Sequence, residues 1–212
     1  MRKVFWEDPY LTRWTTRVAR VEGEFLWLDS SIFFAFSGGQ ESDAGTIGGY
    51  VVESAEKDDL DIVYRLSPDH SLQMGQDVAI EIDWIRRYNL MRLHFAAEMV
   101  LQIIYQEMPG ITRIGAHIAA YKARIDFASD VGLAPILSVV QARADALIHA
   151  NAAIITDYSD VQLQRRFWSV EGFAQMTCGG THPRSTGEVG PIALKRRNPG
   201  KGKERVEIAL GL

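Results

Sequence analysis

Leu90-Met91-Arg92-Leu93-His94-Phe95-Ala96-Ala97-Glu98-Met99-Val100-Leu101 lies in a run that starts near Trp84, where Leu90, Leu93, Ala97, Val100, Leu101 and Ile104 recur at three- and four-residue intervals until Pro109-Gly110. That period predicts an α-helix, on which side chains at i and i+4 emerge one above the other on one face. His94 and Glu98 have this spacing, so the helix presents an imidazole beside a carboxylate. Spacing alone is weak evidence, because such pairs also form solvated contacts or local hydrogen bonds.

Before this helix the period shortens to two. Phe25 and Trp27 alternate with Leu26 and Leu28, and Tyr50-Val51-Val52, Ile62-Val63-Tyr64 and Val78, Ile80, Ile82 follow, bounded by turn residues such as Glu22-Gly23-Glu24 and Lys57-Asp58-Asp59. Short alternating runs at this spacing predict antiparallel strands in a small barrel or sandwich. After the helix, strand-like patterns fall at 114–118 and 123–127. A second helix is expected over 134–151, with strands at 153–156, 172–178, 189–196 and 204–210. Arg197-Asn198-Pro199-Gly200-Lys201-Gly202 has the chemistry of a hairpin loop. The chain therefore reads as α+β, with a β-rich, barrel-like domain over 1–86 and an α+β domain over 87–212.

With 212 residues, 47% of them hydrophobic, there is enough material for two small cored domains. The net charge of −4 gives no global nucleic-acid signature, so any RNA contact must come from a local basic patch. No apolar run approaches ~20 residues, and Met1-Arg2-Lys3-Val4-Phe5-Trp6 lacks a signal-peptide pattern, so a cytoplasmic protein without a membrane partner is expected.

The single cysteine, Cys178, is a buried filler, a reactive thiol or a metal ligand. Its context, Cys178-Gly179-Gly180-Thr181-His182, favours the last. A thiolate and an imidazole flank two residues that let the chain fold back around an ion. Sulfur, nitrogen and carboxylate oxygen together suit zinc, or iron, better than magnesium or calcium. The candidate ligands are His94, Glu98, Cys178 and His182.

Several separated segments resemble, in order, the alanyl-tRNA editing family of freestanding hydrolases related to the editing domain of alanyl-tRNA synthetase. They are Leu28-Asp29-Ser30-Ser31-Ile32-Phe33-Phe34, Gly38-Gly39-Gln40-Glu41-Ser42-Asp43-Ala44-Gly45, Met91-Arg92-Leu93-His94, Arg124-Ile125-Asp126-Phe127, the Cys178 to His182 segment, Thr186-Gly187-Glu188-Val189-Gly190 and Gly200-Lys201-Gly202. The resemblance implies a Zn2+ site on His94, Cys178 and His182. At the fourth position it departs, since Glu98 stands where the family has a second histidine, and Ala174 stands where an aspartate is usual. Glu98 is then a ligand that makes the donor set neutral, a general base beside an open metal position, or a tolerated residue at a lost or structural site.

The resemblance further implies hydrolysis in trans of the ester in mischarged Ser-tRNA or Gly-tRNA for alanine, a translation-fidelity function with tRNA, not DNA, as partner. A synthetase pocket for a small apolar side chain rejects an added hydroxyl by only ~10², so a second site must sense that hydroxyl. Ser31 matches the sensing threonine, with local backbone bonding as its plain alternative. Gly38, Gly39, Gln40 and Thr181 are expected near substrate, although a simple turn would also explain the two glycines. Lys195, Arg196, Arg197, Lys201, Lys203 and Arg205 form the expected phosphate-binding cluster, with Arg165 and Arg166 as a weaker second group. His117 is a possible partner of a ligand histidine, while His70 and His149 read as surface or packing residues. The rival readings are a non-catalytic RNA-binding module and a metal-dependent hydrolase of a small ester or amide.

Overall fold

In the computed structural model, which describes residues 1–211, the alternating N-terminal runs pair as strands β1 (Arg2–Lys3), β2 (Arg13–Glu22), β3 (Phe25–Leu28), β4 (Ser30–Ser31), β5 (Gly45–Ile47), β6 (Tyr50–Val51), β7 (Ser54–Asp58), β8 (Asp61–Arg65) and β9 (Asp77–Ile82). β2 organises them. Its first half, Arg13 to Arg17, runs antiparallel to β9, and its second half, from Val18 to Glu22, runs antiparallel to β3, with a register shift between Val18 and Arg20. A strand that changes partner across a bulge bends its sheet. The seven strands, in the order β6-β5-β9-β2-β3-β8-β7, curl around a core of Leu26, Ile47, Tyr64, Leu66 and Ile80. This unit spans Met1–Tyr88 and matches the expected barrel-like character.

One charged pair lies inside it. Arg87 is fully buried and grips Asp43 through two nitrogens, while also donating to the carbonyls of Ile32 (2.5 Å) and Pro9 (2.8 Å). Asp43 Oδ2 accepts the Phe34 N–H at 2.7 Å, so the pair clasps the Ile32 to Phe34 segment from both its carbonyl and its amide sides.

The long helix is α1 (Trp84–Glu107). From Met91 to Leu101 every residue except Arg92 is buried, so the helix is enclosed on nearly all sides. From Asn89 onward, the second unit adds β10 (Thr112–Ile118), β11 (Ala123–Ala128), α2 (Leu137–Ala150), β12 (Ile155–Asp160), β13 (Arg165–Val170), β14 (Ala174–Thr177), β15 (Ile192–Gly200) and β16 (Lys203–Leu210). They form a four-stranded sheet, β10-β11-β16-β15, and a three-stranded one, β12-β13-β14. Phe95, Ile103, Ile125, Phe127, Val140, Trp168 and Val206 share one core among these elements.

Three expectations are corrected. α2 starts at Leu137 behind a 3-10 turn, Ala134–Ile136, whose first positions include Pro135. The expected loop at 197–202 is mostly ladder: Arg197 pairs with Arg205 and Gly200 with Lys203, which leaves Lys201-Gly202 as the tip. β13, unforeseen in the sequence, joins β12 to β14. No helix among the described residues is long and apolar enough to cross a membrane.

Candidate metal centre

His94 and Glu98 project from the enclosed part of α1, and Cys178 and His182 come from the loop that follows β14. The loop is anchored at its start, where the Cys178 N–H donates to the Arg166 carbonyl of β13 (2.9 Å). It is anchored again beyond its end, where the Ile154 N–H donates to the Arg184 carbonyl (2.9 Å). Between these anchors one ligand atom from each of the four residues converges, all within 4.8 Å of one another.

Individual separations are tighter. His182 Nε2 lies 2.9 Å from Glu98 Oε2, His94 Nε2 lies 3.5 Å from Glu98 Oε1, and Cys178 Sγ lies 3.6 Å from His94 Nε2. Tetrahedral zinc with nitrogen, oxygen and sulfur ligands sets neighbouring donors about 3.3–3.8 Å apart. The 3.5 and 3.6 Å separations fall in that range and the 2.9 Å one is a hydrogen-bond distance, while the donor chemistry suits a transition metal better than calcium or magnesium.

The backbone orients the donors. His94 Nδ1 faces the Thr181 carbonyl at 3.3 Å, which favours the tautomer with hydrogen on Nδ1 and the Nε2 lone pair turned inward. The Gly180 N–H lies 3.3 Å from Cys178 Sγ and donates to it. The two imidazoles stack with centroids 4.8 Å apart, and Phe95 stands edge-on to His182 at 6.1 Å. Glu98, His94 and His182 are buried, and Cys178 is half-buried as a residue.

Charge and burial compete here. Burial opposes the charged form of His94, but Glu98 and Cys178 beside it hold its pKa well above the usual histidine value. His182 is raised in the same way against burial, by Cys178 and Glu98. Burial favours the neutral form of Glu98, yet the two histidines hold its pKa well below the carboxylate range. The Cys178 thiol is lowered despite burial and Glu98, because the same histidines favour the thiolate.

The remaining sequence candidates are placed as follows. Ser31 is fully buried, and its Oγ accepts the Phe33 N–H (3.0 Å) and the Tyr64 hydroxyl (2.7 Å). Ser37 and Gln40 bond each other's backbone across Gly38 (φ 62°) and Gly39 (φ 90°), a tight hairpin turn that itself demands two positive-φ residues. Gln40 is 1% exposed, and nothing in the turn geometry requires its amide. Thr181 is buried and contributes its carbonyl to His94.

The basic cluster divides by strand alternation. Lys195 and Arg197 are exposed, whereas Arg196 points to the other side and is held by both oxygens of buried Glu204. Arg205 binds Asp126, and Arg197 binds Glu207 at 3.1 Å. Lys201 and Lys203 are exposed. Arg166 is buried over the Tyr158 ring at 4.5 Å. His117 lies in register with Arg124 of β11, and the group facing the second nitrogen of His94 is the Thr181 carbonyl. Sequence reasoning missed that carbonyl because any residue type supplies one.

Residues 166–207, which include β14 and the ligand loop, match the family described as the threonyl and alanyl tRNA synthetase second additional domain. That stretch of the second unit is thus similar to a domain found in aminoacyl-tRNA synthetases. Across 99% of its length the chain is 30% identical to the alanyl-tRNA editing protein AlaX-M of Pyrococcus horikoshii, covering 97% of that protein. It is 28% identical to AlaX-M of Saccharolobus solfataricus, over 96% of each chain. The alanine–tRNA ligase of Aeropyrum pernix is 29% identical over 91% of this chain, which covers 24% of the ligase. The chain belongs to the AlaX-M alanyl-tRNA editing protein family.

Proposed function

We propose that this protein is a metal-dependent, cytoplasmic deacylase that hydrolyses the ester of mischarged Ser-tRNA(Ala) or Gly-tRNA(Ala) in trans. The convergence of His94, Glu98, Cys178 and His182 on one point, in a chain aligned end to end with editing proteins, carries this reading. Those four residues would hold a zinc ion, which when bound would supply Lewis acidity toward the ester. Glu98 is assigned to the metal as a ligand, because each of its oxygens faces one histidine nitrogen at 2.9–3.5 Å.

In the first unit, Gly38 and Gly39 are assigned to close backbone approach to substrate; a Cβ at either meets nothing within 4 Å. Ser31 keeps a proposed part in sensing the serine hydroxyl, and Gln40 is assigned a role in presenting the same motif. Phosphate contacts are assigned to Lys195, Arg197, Lys201, Lys203 and Arg205. Arg124 joins them because it shares a row of the ladder with Glu207 and Lys195 on the exposed face. Arg196 is held by Glu204, as Arg205 is by Asp126 and Arg197 by Glu207, and stays among the candidates.

The test is deacylation of Ser-tRNA(Ala) by purified protein with and without chelator. Turnover that chelator abolishes and zinc restores supports the reading. Tight tRNA binding without turnover replaces it with a binding module, and indifference to tRNA replaces it with a hydrolase of a smaller ester. Ser31→Ala, assayed for the ratio of Ser-tRNA to Ala-tRNA hydrolysis, tests the sensing role: an unchanged ratio removes it.

A further inference from the structure

The metal centre takes two donors from α1 and two from the loop after β14, so it exists only while helix and loop keep a fixed separation. The strap that follows the loop, residues 183–190, is held by the Ile154 N–H at Arg184 and by Asn151 at Ser185, and it also meets each helix. At α2, Thr186 is fully buried. Its hydroxyl donates to the Leu147 carbonyl (2.6 Å) and accepts the Ala152 N–H (2.9 Å), and its own N–H donates to the Ala152 carbonyl (2.9 Å). At α1 the pin is Arg92, the one residue between Met91 and Leu101 that is not buried. Its Nε donates to the Val189 carbonyl at 2.9 Å.

The next residue of the strap is shaped to receive it. Gly190 has φ 68°, a left-handed conformation that favours glycine, and a Cβ there would lie 2.8 Å from Arg92 Nη2. The guanidinium thus occupies the space that a side chain at 190 would need. Arg92 is two positions from His94, and Val189 is seven from His182, so this hydrogen bond is a strut from the ligand-bearing helix to the ligand-bearing segment.

We infer that Arg92 is a positioning residue of the metal centre: through Val189 and the cleared space at Gly190 it sets the distance between the His94–Glu98 pair and the Cys178–His182 pair. This rests on the reading of those four residues as ligands. Lysine in its place offers a point donor on a flexible stem instead of a planar fork, and restores the strut only in part.

The experiment compares wild type, Arg92→Met, Arg92→Lys and Gly190→Ala. Zn2+ affinity is measured by chelator competition, Co2+ spectra report the thiolate and imidazole ligand field, and urea unfolding of the metal-free proteins reports fold stability. Groups that bond a metal ligand directly are worth about 10–100-fold in affinity, and Arg92 acts one step further out, so Arg92→Met is expected to lose up to about tenfold, with an altered Co2+ spectrum. Arg92→Lys should fall between it and wild type, and Gly190→Ala should lose affinity in the same direction by displacing the guanidinium. Wild-type affinity and spectrum in both Arg92→Met and Gly190→Ala overturn the inference alone. A wild-type protein that takes up neither metal overturns the metal centre and the inference with it. Should Arg92→Met fail to fold, Arg92→Lys and Gly190→Ala carry the same comparison.

Discussion

As the proposed fourth ligand, Glu98 would put an oxygen where a nitrogen would leave the donor set one unit more positive, and would weaken the centre's polarisation of what it binds. Glu98→Ala is expected to lower bound zinc well below one per chain, measured by elemental analysis after dialysis. Glu98→His should keep zinc and raise deacylation; zinc content indifferent to Glu98→Ala would remove the ligand role. Lys3 is a second residue under stress. Burial, with Lys57 nearby, lowers its ammonium from 10.5 to about 8, although the charge also sits over the Trp6 ring at 4.5 Å. Below pH 8 folded and unfolded chains are both protonated at this residue, and the burial penalty is present in full. Between 8 and 10.5 the unfolded chain binds more protons at Lys3, so stability rises with pH. Urea midpoints should climb across that window in wild type, and by less in Lys3→Met.

Elements differ in how openly the chain announces them. α1 was legible because a long run at the helical period has no competing reading, and so was the spacing of His94 and Glu98. β13 was not: its inward row is Arg166, Trp168 and Val170, and an arginine in a buried row disguises the alternation. The same residue looked like a phosphate contact, since a sequence does not reveal that Tyr158 receives its guanidinium. β1 and β4, two residues each, are too short to leave a pattern. Cys178 and His182 were readable from the glycines between them, whereas the ion pair of Arg196 was not, because its partner Glu204 faces it only after the strands pair. The Arg87–Asp43 clasp was likewise invisible, its partners being 44 residues apart. Breaking a buried pair from one side leaves an uncompensated charge, which costs about 3–5 kcal/mol. Asp43→Ala should therefore destabilise the protein by that order in urea unfolding, and Arg87→Met/Asp43→Ala by less than the sum of the single changes.

For the molecule as a whole, each unit carries its own core, and the proposed metal belongs to the second. A ligand that binds only the folded state adds about 2.7 kcal/mol at a hundredfold excess over Kd. Calorimetry should accordingly show chelator lowering the unfolding temperature of wild type, with little change in a Cys178→Ser/His182→Ala variant. The proposed phosphate contacts include the exposed Lys195, Arg197, Lys201 and Lys203, so tRNA affinity should fall steeply with salt, and Lys201→Glu/Lys203→Glu should both weaken it and flatten that dependence. The division of the donors between α1 and the late loop also has a consequence in time. His94 and Cys178 are 84 residues apart, as are Glu98 and His182. At ordinary rates of synthesis the first pair leaves the ribosome about 4–17 seconds before the second. During that interval the helix carries half of the proposed binding site, so an ion held by all four residues would be captured only after His182 has emerged.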